Sequence, residues 1–134
     1  MKEQPYHSLI VWRVSHEFVL EIYRCTEKFP KQELFGLVSQ LRRAGVSIPT
    51  NIVEGHGRKT LKDQLNFCFI SRGSLRECNY LIELAHDLKY LTDEDFEKLQ
   101  NLSARVGYLL FQYIEGKNKN LTQLNSTPSS PSTL

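Results

Sequence analysis

The stretch that decides the fold of this sequence is QLRRAGVSIPTNIVEGHGR, residues 40–58. The apolar residues in and just before it recur at helical intervals and do not alternate as they would in a strand. They are Leu34, Leu37 or Val38, Leu41, Ala44 or Gly45, Ile48 and Ile52. Pro49 lies inside this pattern and removes one backbone hydrogen bond, so we expect a kinked helix. Gly55 and Gly57 end it, since glycine is the usual C-terminal stop.

The same helical period appears three more times along the chain. We predict helices over about 9–28, about 31–57, about 61–90 and from about 92 to 116. Phe29-Pro30 separates the first two, and Thr60 with Asp63 resembles a capping arrangement for the third. Four amphipathic helices with short connections predict an all-α, antiparallel up-down-up-down four-helix bundle.

The expected organisation is one domain with short extensions. Residues 1–8 form an N-terminal arm, 9–116 the bundle, and 117–134 a flexible tail rich in Asn, Ser, Thr and Pro. Gly73 lies in the middle of the third helix, where glycine costs roughly 1 kcal/mol relative to alanine. We therefore predict that Gly73 permits a close approach of another helix.

Cysteine usage and hydropathy indicate where the protein acts. The three cysteines, Cys25, Cys68 and Cys78, are odd in number and widely spaced, so we interpret them as small core residues. The N-terminal residues have no apolar stretch of the kind that signal peptides contain, and no apolar run approaches the length of about 20 residues that spans a membrane. We expect a cytoplasmic protein that makes no membrane contact.

The charges are segregated along the chain although the net charge is only +2. Residues 39–76 carry seven basic and two acidic residues, whereas residues 77–116 carry three basic and eight acidic residues. This gives the molecule a polar axis. The axis indicates a pair of solvated helix faces, a basic surface for an anionic partner, or attraction between the opposite ends of different subunits. The candidate nucleic-acid-binding residues are Arg42, Arg43, Arg58, Lys59, Lys62, Arg72 and Arg76.

Residues that could catalyse a reaction do not converge in this sequence. The four histidines are scattered without metal-ligand spacing, and no nucleophile elbow or phosphate-binding glycine loop is present. The sequence therefore predicts no catalytic residues, no metal, no cofactor and no enzymatic activity.

A polar strip lies along residues 51–58. Asn51, Glu54 and Arg58 are three and four residues apart, so they share one side of the helix. They form either an ordinary exposed ion pair or a buried network with Arg42 or Arg43 and with Glu77 from the third helix. A buried charge is costly unless it is paired, so such a network would specify packing geometry more than stability. We give a structural role of these residues more weight than direct ligand contact.

A set of separated short motifs resembles a known family. The motifs are Val11-Trp12, Ile22-Tyr23, Phe29-Pro30, Phe35-Gly36-Leu37, Gln40-Leu41-Arg42-Arg43-Ala44, Ser47-Ile48, Asn51-Ile52, Glu54-Gly55, Arg58, Gly73-Ser74-Leu75 and Glu77. Over residues 9–116 the chain resembles the bacterial four-helix bundle proteins encoded in intervening sequences of 23S ribosomal RNA genes. Accessory variability determinants of diversity-generating retroelements are distant relatives of that family. The resemblance implies a homo-oligomer, a ring of five bundles, no known enzymatic activity, and a link to RNA or to a reverse-transcriptase-like protein.

Two functions are consistent with these features. The first is an oligomeric scaffold that presents the basic residues to RNA or to a nucleic-acid-processing partner. Phosphate contacts would dominate its binding, because we find no aromatic stacking platform beside those residues. The alternative is a protein–protein interaction scaffold without nucleic-acid binding, in which the basic and acidic regions pair with each other.

Overall fold

The computed structural model describes residues 2–126, which form four α-helices. They are α1 (Ile10–Thr26), α2 (Leu37–His56), α3 (Leu61–Asp87) and α4 (Asp93–Ser126), with short 3-10 helices at Pro5–Ser8 and Lys31–Glu33. No β-strand occurs among the described residues. The predicted all-α four-helix fold is confirmed.

The helices pack in a closed cycle. Helix α1 contacts α2 and α4, α2 contacts α3, and α3 contacts α4. The Ser74 hydroxyl donates to that of Ser47 at 2.8 Å, and the Ser71 hydroxyl donates to the carbonyl of Ile48 at 2.9 Å. Residue numbers therefore run in opposite directions across this contact, so α2 and α3 are antiparallel.

The core consists of the residues that carry the helical period. Its largest side chains exposed by less than 2% are Phe18, Ile22, Leu41, Ile48, Ile52, Ile82, Leu99, Leu110 and Val106. The three cysteines are free and buried in the same core, as predicted. Burial raises the pKa of Cys25 to about 11 and that of Cys78 to about 12, so both thiols stay protonated. None of the helices in the described part is long and apolar enough to cross a membrane.

The start of the second helix differs from the prediction. Residues Lys31–Glu33 form a separate 3-10 turn, and α2 begins only at Leu37. Gly36 breaks the helix because its backbone adopts φ −112° and ψ −108°, outside the helical region. The Glu33 carboxylate accepts a hydrogen bond from the Leu37 amide at 3.2 Å and thereby satisfies one of the free N–H groups of α2.

The prediction that another helix approaches Gly73 closely is wrong. A Cβ atom at Gly73 would meet nothing within 4 Å, so no helix approaches closely there. Close approaches occur in α2 instead. A Cβ at Gly55 would lie 2.8 Å from the Cβ of Phe67, and one at Gly45 would lie 2.9 Å from Cδ1 of Ile22. The Thr60 cap of α3 is confirmed, since its hydroxyl accepts a hydrogen bond from the Asp63 amide at 3.2 Å.

Helix α4 continues past the predicted boundary. Residues 117–126 are helical where we predicted a flexible tail, and the remainder of that tail, residues 127–134, lies outside the described residues. The continuation has a physical cause. Leu121 packs against the core, and Lys117 donates a hydrogen bond to Gln64 Oε1 at 2.7 Å. These contacts hold two further turns of helix against the start of α3.

An ion-pair network joins α1 to the first turn of α4. The buried Glu21 carboxylate pairs with Arg24 and lies 3.4 Å from Lys98 Nζ, while Asp95 lies 2.8 Å from Arg24 and 3.5 Å from Lys28 Nζ. Hydrogen bonds from Arg24 lower the pKa values of both Glu21 and Asp95. Carboxylates with lowered folded-state pKa values stabilise the fold above their ordinary pKa, and this contribution is lost as the pH falls through the folded-state pKa.

We therefore expect Glu21→Gln to lower the free energy of unfolding by about 1–3 kcal/mol at about pH 7, because hydrogen bonds to the charged carboxylate are lost. Urea unfolding at about pH 7 and about pH 3 measures the effect, and the difference from the wild type should shrink at the lower pH. Glu17→Gln, on the exposed side of the same helix, is the control. A difference that is independent of pH would contradict the assignment.

Candidate nucleic-acid interface

The hairpin of α2 and α3 positions six of the seven predicted basic residues at the surface. The exposed residues are Arg43, Arg58, Lys59, Lys62, Arg72 and Arg76. The exposure of the residues at the turn follows from the local sequence. Gly57 lies just after the last residue of α2 and the Thr60 cap starts α3, so the charged residues between the helices do not reach the core. Arg43 lies within α2, and the other five fall into a group at the turn and a group along α3.

The group at the turn comprises Arg58, Lys59 and Lys62. Arg58 pairs with Glu54 at 2.9 Å, and its guanidinium lies 4.7 Å from the centre of the Phe67 ring. Both partners of the ion pair are about half-exposed, so it contributes little to stability. Within residues 2–126, the side chains of Lys59 and Lys62 make no hydrogen bond or ion pair. Their charges are therefore available to an anionic partner.

Lys117 is a further cation at this turn that the sequence prediction missed. It belongs to the part of α4 that we predicted as tail, and its ammonium group lies 4.5 Å from the centre of the Tyr113 ring. Burial lowers the pKa of Lys117 and raises the pKa of Tyr113 to about 12. The helical spacing of Ile114, Lys117 and Leu121 in the sequence is the pattern that could have predicted this part of α4.

The group along α3 contains Arg72 and Arg76, and exposed aromatic residues accompany it. The guanidinium of Arg72 lies 4.9 Å from the centre of the Phe69 ring, which is 41% exposed. Tyr80, one turn after Arg76, is 61% exposed. We found no aromatic stacking platform in the sequence, because periodicity alone does not show that these two rings lie on an uncovered face of α3.

Arg42 does not belong to the exposed set. Its Nε donates a hydrogen bond to the Thr26 hydroxyl at 2.9 Å, and its guanidinium lies 4.4 Å from the centre of the Tyr23 ring. Arg42 is half-buried and holds α2 against the end of α1. Its role in the described chain is thus structural.

The predicted buried network does not form within one chain. Asn51 donates to the Ser47 carbonyl at 2.8 Å, whereas Glu54 and Glu77 are exposed. Arg43 and Glu77 line a shallow pocket with Ser47 and Ser74 but make no ion pair with each other in the described part. Ser47 and Ser74 meet at this part of the contact between α2 and α3, and the long side chains of Glu54 and Glu77 are exposed beside it.

One cluster of side chains has the composition of a metal site. The ligand atoms of Glu21, Cys25 and Asp95 lie within 4.8 Å of one another. The carboxylates are already paired with Arg24, Lys28 and Lys98, and the raised pKa of Cys25 keeps the thiol protonated. Three neighbouring cations and a protonated thiol disfavour a metal ion, so the cluster acts as a structural ion-pair network.

An apolar groove runs between α1 and α2. It is lined by Trp12, His16, Val19, Val46, Pro49, Thr50, Val53 and Glu54. The His16 ring stacks on the indole of Trp12, with the ring centres 5.1 Å apart. Val46, at 39% exposure, and Leu20, at 58%, extend the apolar character to the surface. A groove of this kind suits an apolar surface of another protein chain.

Comparisons with known proteins agree with this architecture. A family model described as 23S rRNA-intervening sequence protein matches residues 7–112. A crystal structure of a protein of unknown function from the S23 ribosomal protein family of Bacteroides thetaiotaomicron is similar, with 29% sequence identity and a TM-score of 0.72. The similarity covers 78% of this chain and 98% of that chain. The comparison with curated proteins gives no match.

Proposed function

Because this chain belongs to the family of 23S rRNA-intervening sequence proteins, we propose that it is a non-enzymatic, oligomeric scaffold of the cytoplasm that binds RNA through the basic surface of the α2–α3 hairpin. The binding residues are Arg43, Arg58, Lys59, Lys62, Arg72 and Arg76, with Lys117 added at the turn. A reverse-transcriptase-like protein is the other partner that such a scaffold would hold.

The observation that carries this proposal is the exposure of the basic residues. Lys59 and Lys62 lie at the turn without ion-pair partners in the described chain, and Arg72 and Arg76 continue the positive charge along α3. Asp63 is the acidic residue that interrupts them between residues 55 and 76. Phosphate groups would replace the water around these side chains and release condensed counterions, which is the main source of non-specific affinity for nucleic acids.

The apolar groove between α1 and α2 supports the oligomeric part of the proposal. Its lining does not include Arg72 or Arg76 of α3, whereas Val46 and Thr50 also line a pocket with Arg43, and Glu54 pairs with Arg58. A copy bound in the groove would therefore leave the basic residues of α3 open to RNA. We place a second copy of the chain in this groove, and the resemblance to the family suggests five copies in a ring. Sedimentation of the full chain determines the number of copies.

The test is RNA binding as a function of salt. We expect the logarithm of the association constant to fall linearly with the logarithm of the salt concentration, with a slope of about −0.7 for each phosphate contacted in a single strand. The variant Arg58→Gln/Lys59→Gln/Lys62→Gln should flatten that slope by about 2 units and weaken binding about tenfold or more at low salt. Filter binding measures both quantities.

A variant with the same change of net charge is the control. Arg13→Gln/Lys31→Gln/Arg105→Gln removes three exposed cations that lie outside the hairpin surface, and it should leave the slope unchanged. RNA binding that is independent of salt would contradict phosphate contacts by the hairpin surface. If wild-type protein binds no RNA, the protein-only scaffold is correct. In that case basic and acidic surfaces pair between copies, and excess RNA would not displace a protein partner.

A further inference from the structure

The exposed face of α3 carries its residues in strict helical register. Lys62, Phe69, Gly73, Arg76 and Tyr80 are separated by seven, four, three and four residues, and all five are exposed. At 3.6 residues per turn, these intervals place them in one line along the helix. Arg72 stands beside this line. We call these six residues the α3 stripe.

The aromatic residues of the α3 stripe have open surface for a flat ligand. Phe69 is 41% exposed and Tyr80 is 61% exposed. The guanidinium of Arg72 lies 4.9 Å from the centre of the Phe69 ring and enlarges the planar surface. Aromatic rings and arginine planes are the groups on which unpaired bases stack.

Gly73 leaves a gap between the two aromatic residues. A Cβ atom there would have no neighbour within 4 Å, so the backbone of α3 itself is accessible at this point. The gap lies one turn from Phe69 and two turns from Tyr80. A strand that stacks bases on both rings can therefore bring its backbone close to the helix between them.

The charges of the α3 stripe identify the ligand class. Lys62, Arg72 and Arg76 stand beside the aromatic residues over about 27 Å of helix, with the exposed carboxylates of Asp63 and Glu77 next to Lys62 and Arg76. Cations interspersed with exposed rings match the phosphates and unpaired bases of a single strand. A double helix offers only phosphates and groove edges, since its bases are stacked inside.

We propose that the α3 stripe binds single-stranded RNA, with bases stacked on Phe69 and Tyr80 and with phosphates held by Lys62, Arg72 and Arg76. This inference rests on the proposed function and specifies the form of its RNA. It requires a preference for single strands and a loss of that preference when the rings are removed.

The experiment compares a single-stranded RNA of about a dozen nucleotides, without self-complementarity, with the same RNA annealed to its complement. The protein is the full chain, as wild type, as Phe69→Leu and as Tyr80→Leu. Each substitution should weaken binding of the single strand by about 5-fold to 100-fold and leave binding of the duplex nearly unchanged. Phe111→Leu is the matched control, because Phe111 is 61% exposed on α4.

A spectroscopic signal separates stacking from a general effect on the surface. The chain has one tryptophan, Trp12, which lies in the groove between α1 and α2. In a Phe69→Trp variant, we expect added single-stranded RNA to quench a component of the fluorescence that the wild type lacks, because the indole stacks on a base. Binding of the single strand should be kept in this variant.

The outcomes distinguish this inference from the proposed function. Salt-dependent binding of both RNA forms with equal affinity, unaffected by Phe69→Leu and Tyr80→Leu, overturns the stacking proposal and leaves the RNA-binding function in place. Absence of any RNA binding by the wild type overturns both. If Phe69→Leu changes the sedimentation of the oligomer but not RNA binding, then another protein chain covers this face and the stacking proposal is wrong.

Discussion

Leu41→Ala should lower the free energy of unfolding by about 2–5 kcal/mol. Leu41 lies in the second turn of α2 with no exposed surface, and it belongs to the core formed by all four helices. Removing most of its side chain loses apolar burial and leaves a cavity that the neighbouring helices fill only in part. The same range applies to Ile82→Ala on α3, since Ile82 is 2% exposed.

Urea unfolding followed by circular dichroism measures these changes. Leu124→Ala is the control on the surface of α4, where 66% of the residue is exposed, and its effect should be within about 0.5 kcal/mol of zero. If Leu41→Ala and Ile82→Ala both behave like Leu124→Ala, the assignment of the buried faces of α2 and α3 is wrong.

Gly55→Ala should lower the free energy of unfolding by about 1–3 kcal/mol. The added methyl group would lie 2.8 Å from the Cβ of Phe67 and 3.2 Å from the carbonyl oxygen of Gln64, both on α3. One of these contacts is with backbone and the other with the first atom of a side chain, so rotation of a side chain cannot relieve them. The α2–α3 hairpin must open slightly instead, which loses packing near the turn.

Gly73→Ala provides the opposite result in the same assay. A methyl group at Gly73 meets nothing within 4 Å, and alanine is favoured over glycine inside a helix by about 1 kcal/mol. We therefore expect Gly73→Ala to raise the free energy of unfolding by about 0.5–1 kcal/mol. Stabilisation by Gly55→Ala would contradict the close contact at Gly55. Destabilisation by more than about 1 kcal/mol in Gly73→Ala would contradict the open space at Gly73.

The helices and their buried faces were predictable from the sequence because the apolar residues report them directly. Leu41, Ile48 and Ile52 repeat at helical intervals and are all buried. The start of α3 was equally predictable, since Thr60 and Asp63 have the spacing that a capping residue requires. These features depend on residues that are close together in the chain.

The features that were not predicted depend on contacts between distant residues. The sequence does not show which of Gly55 and Gly73 is crowded. Gly55 is crowded only because α3 packs beside it. Arg42 is attracted to Tyr23 and Thr26, and α4 persists past Gly116 because Leu121 meets the core. The basic surface was predicted from charge segregation, whereas the exposed rings of the α3 stripe required knowledge of which helix face is uncovered.

The three buried thiols give the native chain its own reporters of opening. Cys25 is on α1, and Cys68 and Cys78 are on α3, so they sample two different helices. Burial raises the pKa of each thiol, and a protonated, inaccessible thiol reacts slowly with alkylating reagents. Alkylation rates at these positions will consequently follow how often each helix detaches from its neighbours, and a cysteine introduced at the surface can carry a single fluorophore in the natural background.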